Sequence, residues 1–229
     1  MKIGRRLTIK MLNASKFVLG RLDAHESLSA RDVTMPLDLD VLALLGELVS
    51  EATKSFESYD SARVLERAES FFWSFCDNYV ELVKTRAYGD GDAAATKSAR
   101  ATLQISLSVL QRLFAPILPF VSEEVWSWWH DDSVHLSAWP TPEELGAPKE
   151  QPGSTYQPVC EVLEAIRREK STAKVSQRAA VARLLVSAPE EFAEALRASS
   201  ADLIAAGNID EFVVTDGDEL AIEVTLAAL

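Results

Sequence analysis

Cysteine, histidine, glycine and proline are all scarce: two, three, nine and nine among 229 residues. The two cysteines, Cys76 and Cys160, stand far apart in apolar surroundings. With three scattered histidines they do not make a four-ligand zinc site, so the expectation is buried free thiols in a reducing compartment. Few glycines and prolines argue against a turn-rich sandwich and for long helices. No apolar run approaches the length that spans a bilayer, and no membrane partner is expected. The opening stretch lacks the uninterrupted apolar core of a secretory signal, because Arg6 and Lys10 break it. A cytoplasmic location is the expectation. Phosphate-loop, dinucleotide, zinc-protease and serine-nucleophile motifs are absent as well. His25, His130 and His135 fall in or beside expected loops, where a lone histidine is ordinarily solvated. Glu123 with Glu124, and Glu190 with Glu191, sit at expected helix starts, where they complement the helix dipole. No catalytic residue, bound cofactor or metal ligand is expected in this chain.

Positive charge is also in deficit, at a formal net charge of -12 and a pI of about 4.8. That balance excludes general polyanion binding but not a local basic site. The first twenty-two residues hold Lys2, Arg5, Arg6, Lys10, Lys16 and Arg21 and not one Asp or Glu.

What is present is helical periodicity. Ile3, Leu7, Met11, Ala14 and Val18 recur at three- and four-residue steps, predicting a helix over about 2–20 that ends at Gly20. A second helix runs from Pro36 to near Tyr59 on Leu37, Val41, Leu44, Leu45, Leu48, Val49 and Ala52. Asp60 and Ser61 cap a third helix reaching Tyr88. A fourth begins near Ala94 and carries Leu103, Leu107, Leu110, Leu113 and Phe114. Pro116 and Pro119 interrupt it, and Ser122 is the candidate cap of the restarted piece. Together these make an antiparallel helical bundle. From His130 to about Tyr156 no helical period survives, and a connector of that length marks a domain boundary. The division is 1–145 for the bundle, 146–155 for a linker and 156–229 for a small α+β domain. In that domain VCEVLEAIRREKSTAK reads as helical, AAVARLLVSA as a strand, PEEFAEALRASSADLIAAG as helical, and IDEFVVTDGDELAIEVTLAAL as two strands around an Asp-Gly turn.

Beside the apolar stripe of the first helix runs a second one: Arg6, Lys10, Asn13, Phe17 and Arg21. Cations hold phosphates, an amide can read a base edge, and an exposed phenyl ring can stack on an unpaired base. The alternative is that Phe17 belongs to the core and the cations solubilise a packed helix. Trp73, Asp77, Glu81 and Lys84 share a face of the third helix. Asp77 and Glu81 either accept from base amino groups or pair with Lys84 and the basic first helix. Arg167, Arg168, Lys170, Lys174 and Arg178 cluster around a later helix end and loop, either as phosphate contacts or as a solvated loop.

Four elements in order, LNASKFVL, FFWSFCDNYVELVK, VLQRLFAPILPFVSEEVWSWW and HLSAWP, resemble the anticodon-binding region of class I aminoacyl-tRNA synthetases over about residues 1–145. LFAPILPFVSEEVW is shared with the isoleucyl, leucyl and methionyl relatives, while NASKFVL favours the valyl branch. The resemblance implies a carboxy-terminal part of a synthetase. The catalytic domain with its HIGH and KMSKS signatures, the ATP and Mg that it uses, and the editing domain would then lie upstream. It further implies a monomer that binds valine tRNA through its anticodon stem-loop, with Asn13, Lys16 and Phe17 of the first element and Asp77 and Glu81 of the second at the RNA. The end departs from one family pattern: instead of a charged antiparallel coiled coil it has a strand-rich unit finishing TLAAL. The equivalent module of an isoleucyl or leucyl enzyme, or a helical protein-interaction domain without an RNA role, remains as an alternative.

Overall fold

The apolar stripes become the inner faces of packed helices. The computed structural model of the chain describes residues 2–22, 28–89, 92–146 and 152–227, with side chains from residue 4 onward. His25 and part of the expected linker, residues 147–151, lie outside the described residues. Helix α1 (Lys2–Leu19) buries Leu7, Met11, Ala14 and Val18. Helix α2 (Pro36–Glu57) starts on its proline and buries the expected stripe apart from Leu44, which is half-buried. Asp60 caps α3 (Ser61–Ser74) by accepting from the Arg63 amide. The expected single helix to Tyr88 is continuous but carries one wide turn. Phe75–Tyr79 is a π-turn, closed by the Val80 amide on the Phe75 carbonyl, before α4 (Val80–Tyr88). Gly89 then ends the helix in a left-handed conformation (φ 94°) that a side chain would disfavour.

Helix α5 (Ala93–Phe114) opens on Asp92, whose carboxylate accepts from the Ala95 amide at 3.2 Å. Replacing Asp92 by alanine is expected to cost about 1 kcal/mol in urea unfolding, the usual worth of such a cap. The chain breaks after Phe114 and restarts as α6 (Pro119–Trp126). Here the expected cap is corrected. Leu118 occupies the cap position with Pro119 in the first turn, and Ser122 is fully buried inside the helix. Proline needs no amide partner there, so it sets the start before a hydroxyl can.

The C-terminal unit begins with α7 (Tyr156–Thr172) and continues with β1 (Val181–Ala188), α8 (Glu190–Ala198), α9 (Ser200–Gly207), β2 (Ile209–Asp216) and β3 (Ala221–Leu226). The stretch expected as one helix divides at Ser199. The two last strands do not form a hairpin. The sheet order is β2-β1-β3, with β2 parallel and β3 antiparallel to β1. Strands flanking a third lie roughly 9–10 Å apart, beyond the reach of a two-residue turn. Leu184 and Val186 face Phe212 and Val214 on one side and Val224 and Ile222 on the other, and this layer packs on the helices.

Buried polar contacts tie the C-terminal unit to the bundle. Asp40 of α2 accepts from the amides of Gly153, Thr155 and Tyr156 at 2.7–2.9 Å, capping the start of α7. Arg86 of α4 bonds Asp38 of α2 and Asp202 of α9, each through two nitrogens at 2.8–2.9 Å. The Tyr79 and Ser98 hydroxyls also donate to Asp38, at 2.8 and 2.6 Å. Burial alone would lower the Arg86 pKa, but its bonds to the two carboxylates reverse that and hold the guanidinium charged. Burial pushes the Asp202 carboxyl up, against the pull of Arg86. Cys76 and Cys160 are buried free thiols, and burial pushes both up to about 12. No helix among the described residues is long and apolar enough to cross a membrane.

Candidate nucleic-acid interface

With one stripe of α1 committed to the core, the cations of its other faces reach outward onto aromatic rings. The Arg6 guanidinium and the Lys10 ammonium sit 5.7 and 5.6 Å from the centre of the Trp73 ring. The Lys16 ammonium lies 5.8 Å from the Trp128 ring, and in the turn just past α1 the Arg21 guanidinium lies 4.2 Å from the Tyr88 ring. Each pair sets a positive charge beside a flat aromatic surface, the two features that phosphates and unpaired bases respectively favour. Tyr88 is 50% and Trp128 37% exposed, so both rings keep open area. Glu69 holds the Trp73 indole nitrogen at 3.1 Å, and Glu124 holds that of Trp128 at 3.1 Å. Each indole is thereby held by a carboxylate four residues earlier in the chain.

Phe17 stands between the core and the surface. It is half-buried and packs against the core, and its ring meets Tyr88 edge-on with ring centres 6.2 Å apart. Asn13 and Lys16 are exposed next to it. Asp77 pairs with Lys10 at 2.6 Å, and Glu81 with Lys84 at 3.4 Å. Asp77 stands on the π-turn, where Arg167 of α7 donates to the Asn78 side chain at 2.7 Å and to the Asp77 carbonyl. Arg167 is thereby part of a junction between α7 and the bundle. Both carboxylates are exposed, so these surface pairs hold little energy against an incoming ligand.

The basic cluster of the C-terminal unit divides. Arg168, Lys174 and Arg178 are exposed. Lys170 is 1% exposed, and its ammonium donates to the carbonyls of Gly207 at 2.8 Å and Gln177 at 3.1 Å. Burial pushes its pKa down. Lys170 therefore faces inward, as a tie between α7, the following loop and α9, and has no surface to offer a phosphate. An isolated lysine in a run of cations gives no sign of this, because its carbonyl partners come from 37 residues away and from a loop.

Three aromatic platforms frame α1, and only Trp73 stands out from sequence spacing. Tyr88 is the last residue of α4 and Trp128 follows α6, and nothing local to either says that a cation from α1 or the turn after it will lie against the ring. Among the described residues no group of three His, Cys, Asp or Glu is disposed to hold a metal ion.

Residues 38–185 match the family described as the anticodon-binding domain of tRNA ligase. The chain belongs to this family. The match begins in α2 and ends in β1, so it includes Trp73, Tyr88 and Trp128 but not α1. Relatives extend the likeness over α1. A valine–tRNA ligase of Thermobifida fusca (strain YX) is 50% identical over 99% of this chain. Those of Cutibacterium acnes and Leifsonia xyli are 45% and 43% identical, over 99% and 97% of it. In each case the matched part is 26% of the relative, so the chain spans about a quarter of the length of these proteins. Membership gives the cation-bearing rings of α3, α4 and the segment after α6 a chemical context.

Proposed function

We propose that this chain binds the anticodon stem-loop of valine tRNA, as the anticodon-reading part of a valine–tRNA ligase. The ATP- and Mg-dependent attachment of valine, and the editing of mischarged tRNA, would belong to segments outside this chain. The observation that carries the reading is the line of cation-on-aromatic pairs along α1 and the turn that follows it, in a member of an anticodon-binding family. Arg6, Lys16 and Arg21 hold backbone phosphates, while Phe17, Tyr88 and Trp128 offer stacking surface and Asn13 a base-edge contact. Lys10 is half-neutralised by Asp77 and joins once that pair opens. Arg168 and Lys174 remain candidates for phosphates further along the stem, whereas Lys170 does not. Residues 1–145 form the binding unit and 156–229 a supporting one, which clamps α4 and the π-turn through Arg86 and Arg167. The protein acts in the cytoplasm as a monomer.

The test is fluorescence anisotropy of labelled anticodon stem-loops as salt is raised. With three phosphate contacts, affinity for the valine stem-loop should fall about twenty- to fortyfold between 50 and 200 mM salt. Isoleucine and leucine stem-loops should bind more weakly at every salt concentration. Salt-insensitive binding, or equal binding of all three, would reject the reading.

A further inference from the structure

The loop between α7 and β1, residues 173–180, is tied down from three directions. Lys170 holds it from the inside, donating to the Gln177 carbonyl at 3.1 Å and to the carbonyl of Gly207, the last residue of α9, at 2.8 Å. The Gln177 side chain turns back to the Arg167 carbonyl at 3.3 Å and the Ser171 hydroxyl at 3.0 Å, both on α7. The Asn208 side-chain amide donates to the Arg178 carbonyl at 3.0 Å. Connecting loops at a surface are ordinarily the mobile parts of a fold. This one is held by a buried ammonium and two amides.

Its outer side is cationic. Residues 170–189 hold no Asp or Glu, and Lys174 and Arg178 are exposed. Neither forms an ion pair among the described residues, whereas the next cation, Arg183, is taken up by Glu211 at 3.1 Å. Lys174 also stands where glycine is the usual residue. It follows the Ala173 cap of α7 with φ at 55°, a left-handed conformation that costs a side chain energy. Two unpaired cations on a fixed backbone suit an anion, because little freedom is lost when it binds.

We propose that this loop is a second, preset phosphate site for the tRNA, with Lys174 and Arg178 as its contacts and Lys170, Gln177 and Asn208 as the positioning residues that hold them; this rests on the function proposed above. Its ligand is the phosphate backbone of the RNA stem, on the side away from the anticodon. Phosphate contacts carry no base information, so the loop adds affinity and leaves the choice of tRNA to α1 and its aromatic platforms.

Placement joins the two cationic surfaces. Phe17 with Tyr88, and Lys16 with Trp128, gather at one end of α1. Lys10 lies about 10 Å from Phe17 toward the start of the helix. Its partner Asp77 shares the π-turn with the contacts of Arg167. Arg167 in turn stands about 8 Å short of the end of α7, where the loop begins. One chain of contacts, from Lys10 through Asp77 to Arg167, thus links the loop to the middle of α1, away from the Phe17 end. An RNA stem that runs from that end back along α1 reaches this junction next.

Fluorescence anisotropy with intact valine tRNA at rising salt tests this. The double variant Lys174→Gly with Arg178→Gln removes both charges and suits the backbone at 174, so its urea midpoint should hold or rise. Its slope of log affinity against log salt should fall by about 1.4–1.8, the share of two phosphates. Its preference for valine over isoleucine tRNA should stay that of the parent. Asn208→Gly keeps the left-handed backbone (φ 52°) and removes the bond to Arg178. Both charges remain, so the slope should be parental, while binding weakens about two- to tenfold because the loop must be ordered on contact. Added to the double variant, Asn208→Gly should change affinity no further, since positioning acts only through the two cations. A parental slope in the double variant overturns the site. An undiminished effect of Asn208→Gly in that background overturns the positioning role. Lys16→Ala on the same tRNA keeps the two readings apart. A reduced slope there with a silent loop strikes the loop alone, whereas no response at either place strikes the RNA reading itself.

Discussion

Replacing Arg86 by leucine is expected to destabilise the protein by about 3–5 kcal/mol, the cost of leaving buried charges without their partner. The guanidinium is the only cation bonded to Asp38 and Asp202 among the described residues, and both carboxylates are buried. Water cannot replace four short bonds to carboxylates in a site so enclosed. Urea unfolding at pH 7 should show the loss as a shifted midpoint. The pH dependence has a defined sign. Burial already raises Asp202 above its ordinary value even with Arg86 present. Without Arg86 it rises further, so the folded state holds a proton that the unfolded state releases. Stability then falls as pH rises through the unfolded value near 4 toward the folded one, and the deficit should be smaller at pH 5 than at pH 8. Removing all three charges together, as Asp38→Leu, Arg86→Met and Asp202→Leu, should cost less than removing Arg86 alone. A variant Arg86→Leu as stable as the parent at both pH values would show that the network is not holding α9 to the bundle.

That network also shows where the sequence stops being readable. Helices followed from periodicity because the stripe and the buried face are the same residues, as in Leu7, Met11, Ala14 and Val18. Pro36 marked a start for a reason internal to proline. Asp38, by contrast, looks like an ordinary first-turn acid suited to the helix dipole, and Asp40 like a surface acid two residues on. Both are fully buried, and their partners lie 48 and 164 positions away for Asp38 and Asp202 through Arg86, and 113–116 away for Asp40. No local pattern reports a contact at that range. The missed sheet order has the same origin: Asp-Gly between two strands signals a turn, but only the tertiary fold decides that β1 lies between them. At the candidate interface, the cations of α1 were legible as a charge anomaly in an acidic chain. Tyr88 and Trp128 were not, because each gains its meaning from a helix about 70 to 110 residues earlier in the chain.

Truncating Trp128 to alanine should weaken binding of the valine stem-loop by about 1–3 kcal/mol, the worth of one base stacked on an aromatic ring. Trp128 is the cleaner probe of the platform, because Phe17 also packs against the core and its loss would cost stability. The salt slope separates the two kinds of contact. Trp128→Ala removes no charge and should leave the slope unchanged, whereas Lys16→Ala should reduce it by about 1 while weakening all stem-loops alike. Because the Lys16 ammonium lies over the Trp128 ring, the pair should also couple: the double variant should lose less than the sum of the singles. At position 17, Phe17→Leu keeps most of the packing and removes the ring. If Phe17 stacks on a base, affinity should fall toward the level of Trp128→Ala with the urea midpoint nearly intact. If leucine binds as well as phenylalanine, the ring serves only to hold Tyr88, and the stacking surface is Tyr88 and Trp128 alone.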